Sequence, residues 1–438
     1  MKIKQYYRLI RALLLHYLLF KTRIVLIYFK FKINLLVEKK KYNSRKNSIL
    51  VLNPIRGYTE FESTLEKTDL NILLHNFTFE KKFLSYLLPL EKKKFSEYTS
   101  KKNSNFERYF ISLYKKSLYV YLKFLKKNFR INHIMVFAIH YKSEVFWDEV
   151  SNKLGIKYLI YHRESQYASP KEIEFHKKML NSINPFKGYK IIVYNNIAKK
   201  IFVDSGYVKN NKIIVNGPIR TDKLYNMKIK VGKKNIVLFY IIGTGMGLDF
   251  ITGQSDITHS KFKNFGWNML LDNTYKILFK LAKEFKNYKF ICKGKYGGMI
   301  KRRHFAMEKK FGKTSNLIFT AIEKNYEFLK DSKLVITFGS TTMFEAMMLN
   351  KKLLIPFFNE PQSIIYKNKV PFKELSRFKF VKKKENDFYK SIKKILISKK
   401  NPNPDSKIYN TCIKKYLGFN DGDNEKRFIK LIKTGNFT

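Results

Sequence analysis

The residues best suited to chemistry lie in one short stretch, Gly339-Ser340-Thr341-Thr342, with Glu345 about one helical turn further on. The glycine lets the backbone turn sharply and lets a ligand come close. Three hydroxyls in a row at a helix start, with backbone N–H groups behind them, favour an anion such as a phosphate. Thr342-Met343-Phe344-Glu345 also has the spacing of a capping box, in which the glutamate only satisfies a helix-end N–H. On spacing alone the two readings stand side by side.

Four more clusters come after apolar, β-forming runs, where open α/β sheets bind their ligands. Tyr161-His162-Arg163-Glu164-Ser165 offers acid–base chemistry and anion binding, with Glu164 as the base or acid; the same residues fit an Arg–Glu pair that holds a loop. Phe290–Gly294 carries Lys293, a point charge for a phosphate or carboxylate, or one more solvated lysine in a lysine-rich chain. Gly243-Thr244-Gly245-Met246-Gly247 is G-x-G-x-G and not the dinucleotide fingerprint, which argues against a nicotinamide or flavin enzyme. Its Gly243 and Gly245 read as a loop beside a phosphate or sugar, or as a plain mobile loop. Asn216–Asp222 carries Arg220, able to reach a phosphate across a cleft, or a solvated hinge charge. Asp421-Gly422-Asp423 precedes the last helix, where aspartate as N-cap is explanation enough.

The elements that position these clusters alternate along the chain. The Gly339 stretch itself reads as strand Leu334–Phe338, helix Thr341–Leu349 and strand Lys352–Pro356, one βαβ unit. Upstream, Ile49–Asn53, Leu70–His75, Ile134–Ile139, Lys157–Tyr161, Lys190–Tyr194 and Lys212–Val215 are strand candidates; Phe106–Asn128, Ser143–Leu154 and Ala198–Ser205 are helices. A second series has strands Asn235–Ile242, Lys289–Lys293 and Leu317–Thr320, with helices Leu271–Phe285, near Tyr326–Lys330, and finally Asn424–Lys433. Strands alternating with helices predict α/β architecture: two Rossmann-like, doubly wound parallel sheets facing a cleft. The predicted organisation is a basic amphipathic segment over 1–40, one Rossmann-like domain over 41–225, a second over 226–410 and a closing helical segment over 411–438. Within this, Lys39–Asn47 reads as a linker.

The 438 residues hold 88 Lys and Arg against 34 Asp and Glu, a net charge of +54. Such a field attracts nucleic acid, anionic membrane and phosphorylated substrates. Abundant Lys, Asn, Ile, Tyr and Phe also match the usage of an AT-rich genome, and the lysines are spread along the chain instead of gathered in one arm. Hydrophobic residues at 45% are enough for sizeable cores. Cys292 and Cys412 form no framework and have no metal-ligand spacing, and the eight histidines form no cluster, so no metal and no cofactor is expected. Residues 1–31 hold two apolar runs, Ala12–Phe20 and Ile24–Phe29, both short of the roughly 20 residues of a membrane span. No small-residue cleavage site comes after them. Aromatics and leucines mixed with Lys and Arg suit a helix on the anionic inner face of the cytoplasmic membrane, or a terminal helix packed on the protein.

Over residues 130–435 the chain resembles the GT-B-fold glycosyltransferases of bacterial surface-carbohydrate and capsule synthesis, relatives of the capsule Kdo transferases and polymer glycerophosphotransferases. FGSTTMFEAMMLNKKLLIPFFNE, Phe338 to Glu360, is similar to their donor-site signature. The resemblance implies that Ser340, Thr341 and Thr342 meet phosphates and that Glu345 meets the ribose. YKFICKGK, Tyr288 to Lys295, resembles Y-x-F-x-x-K-x-H-P, but the His-Pro is missing after Lys293. NGPIRTD, Asn216 to Asp222, resembles the G-x-P-R-x-D junction motif with its Gly and Pro adjacent, and the final helix resembles the family's closing helix. The activity this resemblance implies is a metal-independent transfer of a sugar from a nucleotide-sugar donor to a lipid-linked or polysaccharide acceptor, by a cytoplasmic, membrane-peripheral enzyme. Glycerophosphate transfer from a CDP-linked donor is one alternative on the same fold, and sugar-nucleotide epimerases share that fold too but need no membrane segment; a basic nucleic-acid-binding protein or a non-catalytic scaffold is the alternative of another class. No specific nucleic-acid partner is expected.

Overall fold

The computed structural model describes residues 37–40, 42–75, 95–139, 144–227, 236–241, 267–294, 298–320, 325–398 and 406–435, with the isolated positions Ile10, Leu14 and Tyr17. Apart from Ile10, Leu14, Tyr17 and Val37–Lys40, the expected membrane-surface segment lies outside these residues, and so does the glycine loop at Gly243 and Gly245. The chain divides into two compact units: Met1–Ser165, Lys177–Arg220 and Asp423–Thr438 form the first, Gln166–His176 and Thr221–Gly422 the second.

The first unit is a seven-stranded sheet. Its strands are β1 (Val37–Lys40), β2 (Ser48–Leu52), β3 (Asn71–His75), β4 (Ile131–Val136), β5 (Lys157–Tyr161), β6 (Lys190–Val193) and β7 (Ile213–Val215). The order is β1-β3-β2-β4-β5-β6-β7, parallel throughout except for β1 on β3. Runs such as Ile49-Leu50-Val51-Leu52 are buried on both faces, which is why they read as continuous apolar stretches and not as alternation. β1 corrects the reading of Lys39 and Lys40 as linker: Val-Glu-Lys-Lys pairs antiparallel to β3, and its charges suit a sheet edge.

Helices α1 (Tyr58–Leu65), α2 (Asn105–Phe129), α3 (Trp147–Lys153), α4 (Pro170–Asn181) and α5 (Asn196–Asp204) connect these strands, and the division into units passes through α4. The 25-residue α2 starts in a capping box: Glu107 N donates to Ser104 Oγ at 3.3 Å, and Ser104 N donates to Glu107 Oε2 at 2.7 Å. Trp147 is buried against His75 and Tyr121.

The second unit is a six-stranded, all-parallel sheet of β8 (Ile236–Ile241), β9 (Lys289–Lys293), β10 (Leu317–Thr320), β11 (Ser332–Phe338), β12 (Lys352–Pro356) and β13 (Val381–Lys382). Its order is β10-β9-β8-β11-β12-β13. Numbered within the unit this is 3-2-1-4-5-6, the doubly wound order of dinucleotide-binding folds. Helices α6 (Asn268–Glu284), α7 (Gly298–Phe311), α8 (Asn325–Asp331), α9 (Thr342–Met348), α10 (Glu385–Ile397) and α11 (Ser406–Leu417) accompany it. Trp267, just before α6, is buried against Phe338 and Tyr366.

The last helix, α12 (Asn424–Thr434), belongs to the first unit. Phe428 packs edge-on against Phe61 and Tyr161 at 5.8 and 5.6 Å, and Leu431 and Ile432 join the same core. Truncating a buried phenylalanine of this kind costs about 3–5 kcal/mol. Asp423 holds the expected N-cap position, but its side chain makes no cap bond and instead lies 2.7 Å from Lys426 Nζ.

Candidate functional site

In an open α/β sheet the binding crevice forms outside the carboxyl ends of two neighbouring strands whose connections leave in opposite directions. In the second unit those strands are β8 and β11, because the chain runs β8-β9-β10 to one side and then returns to place β11 on the other. The turn after β11 is Gly339-Ser340-Thr341, so the stretch with the most chemistry in the sequence stands at the switch point.

Gly339 has φ of +64°, and a Cβ there would lie 3.3 Å from Pro371 Cγ, so both backbone and space call for glycine. Ser340 Oγ accepts from Thr342 N at 3.2 Å and donates to Thr342 Oγ1 at 3.2 Å. Met343 N donates to Ser340 O, and Phe344 N and Glu345 N to Thr341 O. The expected reservoir of free N–H groups is therefore absent at Thr342–Glu345: the turn uses them itself. The capping box is not formed either. The N-cap is Thr341, not Thr342, and it accepts no side-chain hydrogen bond. Ser340 and Thr342 are buried and Thr341 is half-buried, so Thr341 is the hydroxyl nearest solvent.

Glu345 is 5% exposed and Lys293 6%, an unusual depth for charged side chains. Lys293 ends β9 opposite Thr320, and Thr337 pairs with Tyr240 on the same rung of the sheet. Side chains on one rung of a parallel sheet share a face, which puts Lys293 and the fully buried Thr337 on one side. Thr337 Oγ1 has no hydrogen-bond partner among the described residues.

Glu360 carries no signal in the sequence, yet it makes the clearest anion contact in this unit. Its Oε1 accepts from Met269 N at 2.6 Å and its Oε2 from Leu270 N at 2.8 Å, in the first turn of the 17-residue α6. A carboxylate of the chain thus holds the N-terminus of the helix that leads away from β8.

In the first unit the switch point lies between β2 and β4. Asn53 ends β2 in the left-handed conformation, φ 52°, and its Nδ2 donates to the buried Glu144 Oε1 at 2.5 Å. A Cβ at Gly57 would fall 2.8 Å from the Phe137 ring and 3.0 Å from Arg163 Cδ, so glycine lets α1 approach this edge. Arg163 forks onto Glu60: Nε donates to Oε2 at 3.0 Å, and Nη2 donates to Oε1. Arg220 Nη1 lies 3.6 Å from the same Oε1. Burial alone lowers the Arg163 guanidinium pKa, but the charge of Glu60 and its hydrogen bonds together outweigh it and hold the pKa above its ordinary value. Sequence reasoning missed Glu60, since nothing in Tyr58–Leu65 announces a partner 103 residues away.

The two residues expected to do acid–base work, His162 and Glu164, lie at different depths. Glu164 is exposed, whereas His162 is buried with its ring 5.3 Å from Phe202. Arg163 pairs with Glu60, across the chain from its neighbour Glu164. The junction motif has a plain mechanical role. Tyr161 Oη donates to Gly217 O and accepts from Ile219 N at 3.1 Å, fixing the bend that delivers Arg220. Among the described residues no group of three or more His, Cys, Asp or Glu is gathered to hold a metal, and no helix is long and apolar enough to cross a membrane.

No protein-family model matches the chain, and no curated protein matches it. Solved structures do show a likeness. UDP-GlcNAc 2-epimerase from Neisseria meningitidis bound to UDP-GlcNAc is 10% identical, over 88% of this chain and 99% of that one, with a TM-score of 0.47. A putative UDP-N-acetylglucosamine 2-epimerase from Listeria monocytogenes is 10% identical over 89% and 96%, at 0.49. A glycosyltransferase from Rickettsia africae ESF-5 is 13% identical over 90% and 100%, at 0.45.

Proposed function

We propose that the chain is a glycosyltransferase of the GT-B type, moving a sugar from a nucleotide-sugar donor to a lipid-linked or polysaccharide acceptor. The observation that carries this reading is the place of Gly339–Thr342 at the switch point of a 3-2-1-4-5-6 sheet, with Glu345 and Lys293 buried beside strand ends of the same sheet. In this reading the donor diphosphate lies against the Thr341 hydroxyl, while Ser340 and Thr342 hold the turn. Lys293 supplies positive charge to the departing nucleotide, fixed in a site of low dielectric where such charge acts most strongly. Glu345 accepts hydrogen bonds from the ribose. On the first unit the exposed carboxylate of Glu164 takes the proton from the acceptor hydroxyl, and the buried His162 is left as a packing residue. The acceptor is held at the inner face of the cytoplasmic membrane.

Thermal unfolding with UDP, GDP, CMP, CDP and dTDP tests the donor site, since a ligand raises the melting point only if it binds the native state. One nucleotide is expected to stabilise the wild type and not Glu345→Ala. CDP as the sole hit transfers the reading to glycerophosphate transfer, and no hit at millimolar concentration removes it. Glu164→Gln is expected to keep the nucleotide stabilisation and lose turnover about 100-fold or more; full activity takes Glu164 out of the mechanism.

A further inference from the structure

A cavity of about 660 Å³ opens in the helical layer of the first unit, between α2 and α3, and shares no lining residue with either switch point. On α2 its wall is one stripe, Arg108, Ile111, Lys115 and Tyr119 at steps of three and four, with Lys116 alongside. From Arg108 to Tyr119 such a stripe runs about 17 Å along the helix. Phe146 and Val150, both buried, complete an apolar floor with Ile111. The end wall is the joint where Asn184 N donates to Thr99 O at 2.8 Å and Lys101 N to Ser182 O at 3.2 Å.

The charges are lopsided. Lys101, Arg108, Lys115, Lys116 and Lys153 line the cavity against a single carboxylate, Glu149. That carboxylate is itself held by lysines, 2.8 Å from Lys115, 3.0 Å from Lys187 and 3.6 Å from Lys153. Lys115 Nζ also sits 4.5 Å above the Phe146 ring, so one lysine joins the charged rim to the apolar floor. The volume lies within the range of small-molecule sites.

We propose that this groove binds one anionic lipid, its phosphate among Arg108, Lys115 and Lys116 and the first part of its chains along Ile111, Phe146 and Val150. Lysines are point charges suited to a phosphate approached from several sides. Both long walls are helices whose backbone groups are bonded internally, so no strand edge is offered to a peptide. The site would seat a lipid in the protein whether or not the donor-site reading holds.

The test is calorimetric titration of the full chain with dihexanoyl phosphatidylglycerol, kept monomeric, in about 0.3 M salt so that long-range attraction is screened. Saturable binding of one lipid is expected. Arg108→Glu with Lys116→Glu, both exposed positions, should weaken it about tenfold or more. Lys309→Glu with Lys310→Glu on α7 changes the total charge equally and should weaken it less than about threefold. Ser112→Trp, which fills the groove without touching any charge, should abolish binding, with circular dichroism confirming the fold. The proposal is overturned by equal losses in the two charge pairs, by glycerol phosphate binding as tightly as the lipid, by an acidic peptide binding more tightly, or by no saturation at millimolar lipid.

Discussion

At the carboxyl edge of the first sheet Glu60 is gripped by Arg163 and approached by Arg220, and Asn53 holds Glu144. At the same edge of the second sheet stand Gly339, the hydroxyls of Ser340, Thr341 and Thr342, and the buried Glu345 and Lys293. The first edge pairs its charges with one another and gains rigidity. The second presents short polar groups, and the Glu360 carboxylate caps α6 away from the Gly339 turn's own hydrogen bonds. The two sheets share a construction and use it differently: one edge is fastened by long-range contacts of Glu60 and Glu144, the other carries a hydroxyl-rich turn with a buried glutamate and lysine.

Acid should separate them most. Strands of the first sheet carry His75 and His133; the second unit's buried histidine is His304 on α7, where burial also lowers the pKa but Glu308 opposes it. Burial pushes the His133 pKa down to about 4, with Lys157 adding to the effect. Between pH 6.5 and 4 the unfolded chain takes up a proton that the folded strand refuses, so stability is full above pH 6.5 and is lost as pH falls towards 4. The shift corresponds to at most about 3 kcal/mol. Hydrogen exchange is expected to show the first sheet opening before the second in this window, and His133→Leu should narrow the gap. Simultaneous opening of both sheets would break the contrast.

The ion pair is the next lever. Glu60→Ala sets two half-buried guanidiniums against each other and should cost the first unit about 2 kcal/mol, below the figure for fully buried pairs because these side chains keep about a quarter of their surface in water. The second unit should be unaffected in the same denaturant titration. Gly339→Ala is the smaller change. The left-handed backbone and the nearby Pro371 predict a loss of about 1–2 kcal/mol, confined to the second unit and joined by loss of nucleotide stabilisation. A variant that loses stability but binds nucleotide unchanged would show the turn to be structural only.

Much of the architecture was legible in the sequence. The α/β class, the two parallel sheets and most of their strands emerge from apolar runs such as Ile49–Leu52 and Leu334–Phe338, since strands buried on both faces leave few alternatives. Helices α1, α4 and α7, with thin or interrupted stripes, gave no such signal; α10 and α11 carry regular stripes, Phe388, Ile392, Ile395 and Leu396 on one and Tyr409, Cys412, Ile413, Tyr416 and Leu417 on the other, but stand in a lysine-rich part of the chain and went unread. β1 was hidden because an edge strand of Val-Glu-Lys-Lys looks like a linker until β3 pairs with it. At the site, the position of Gly339–Glu345 was readable because one local run carries strand, turn and helix. Glu60 and Glu360 were not, because their roles depend on Arg163 and Met269, about 100 residues away in each case. The depth of His162 was hidden for a related reason: in Tyr161-His162-Arg163-Glu164 the sequence does not say which side chain faces the core, and the structure sets the histidine ring beside Phe202.

The chain has two tryptophans, one in each unit. Trp147 rests on His75 and Tyr121, behind the first sheet; Trp267 lies 5.1 Å from the ring of Phe338, the residue just before Gly339. With the other replaced by phenylalanine, each becomes an optical probe of its own half of the molecule. A nucleotide settling at the Gly339 turn should alter the emission of Trp267 and leave Trp147 dark to the event, while a lipid entering the α2–α3 groove should do the reverse. Two ligands and two sheets can then be told apart by colour and intensity alone, in a pair of single-tryptophan variants and with no label attached.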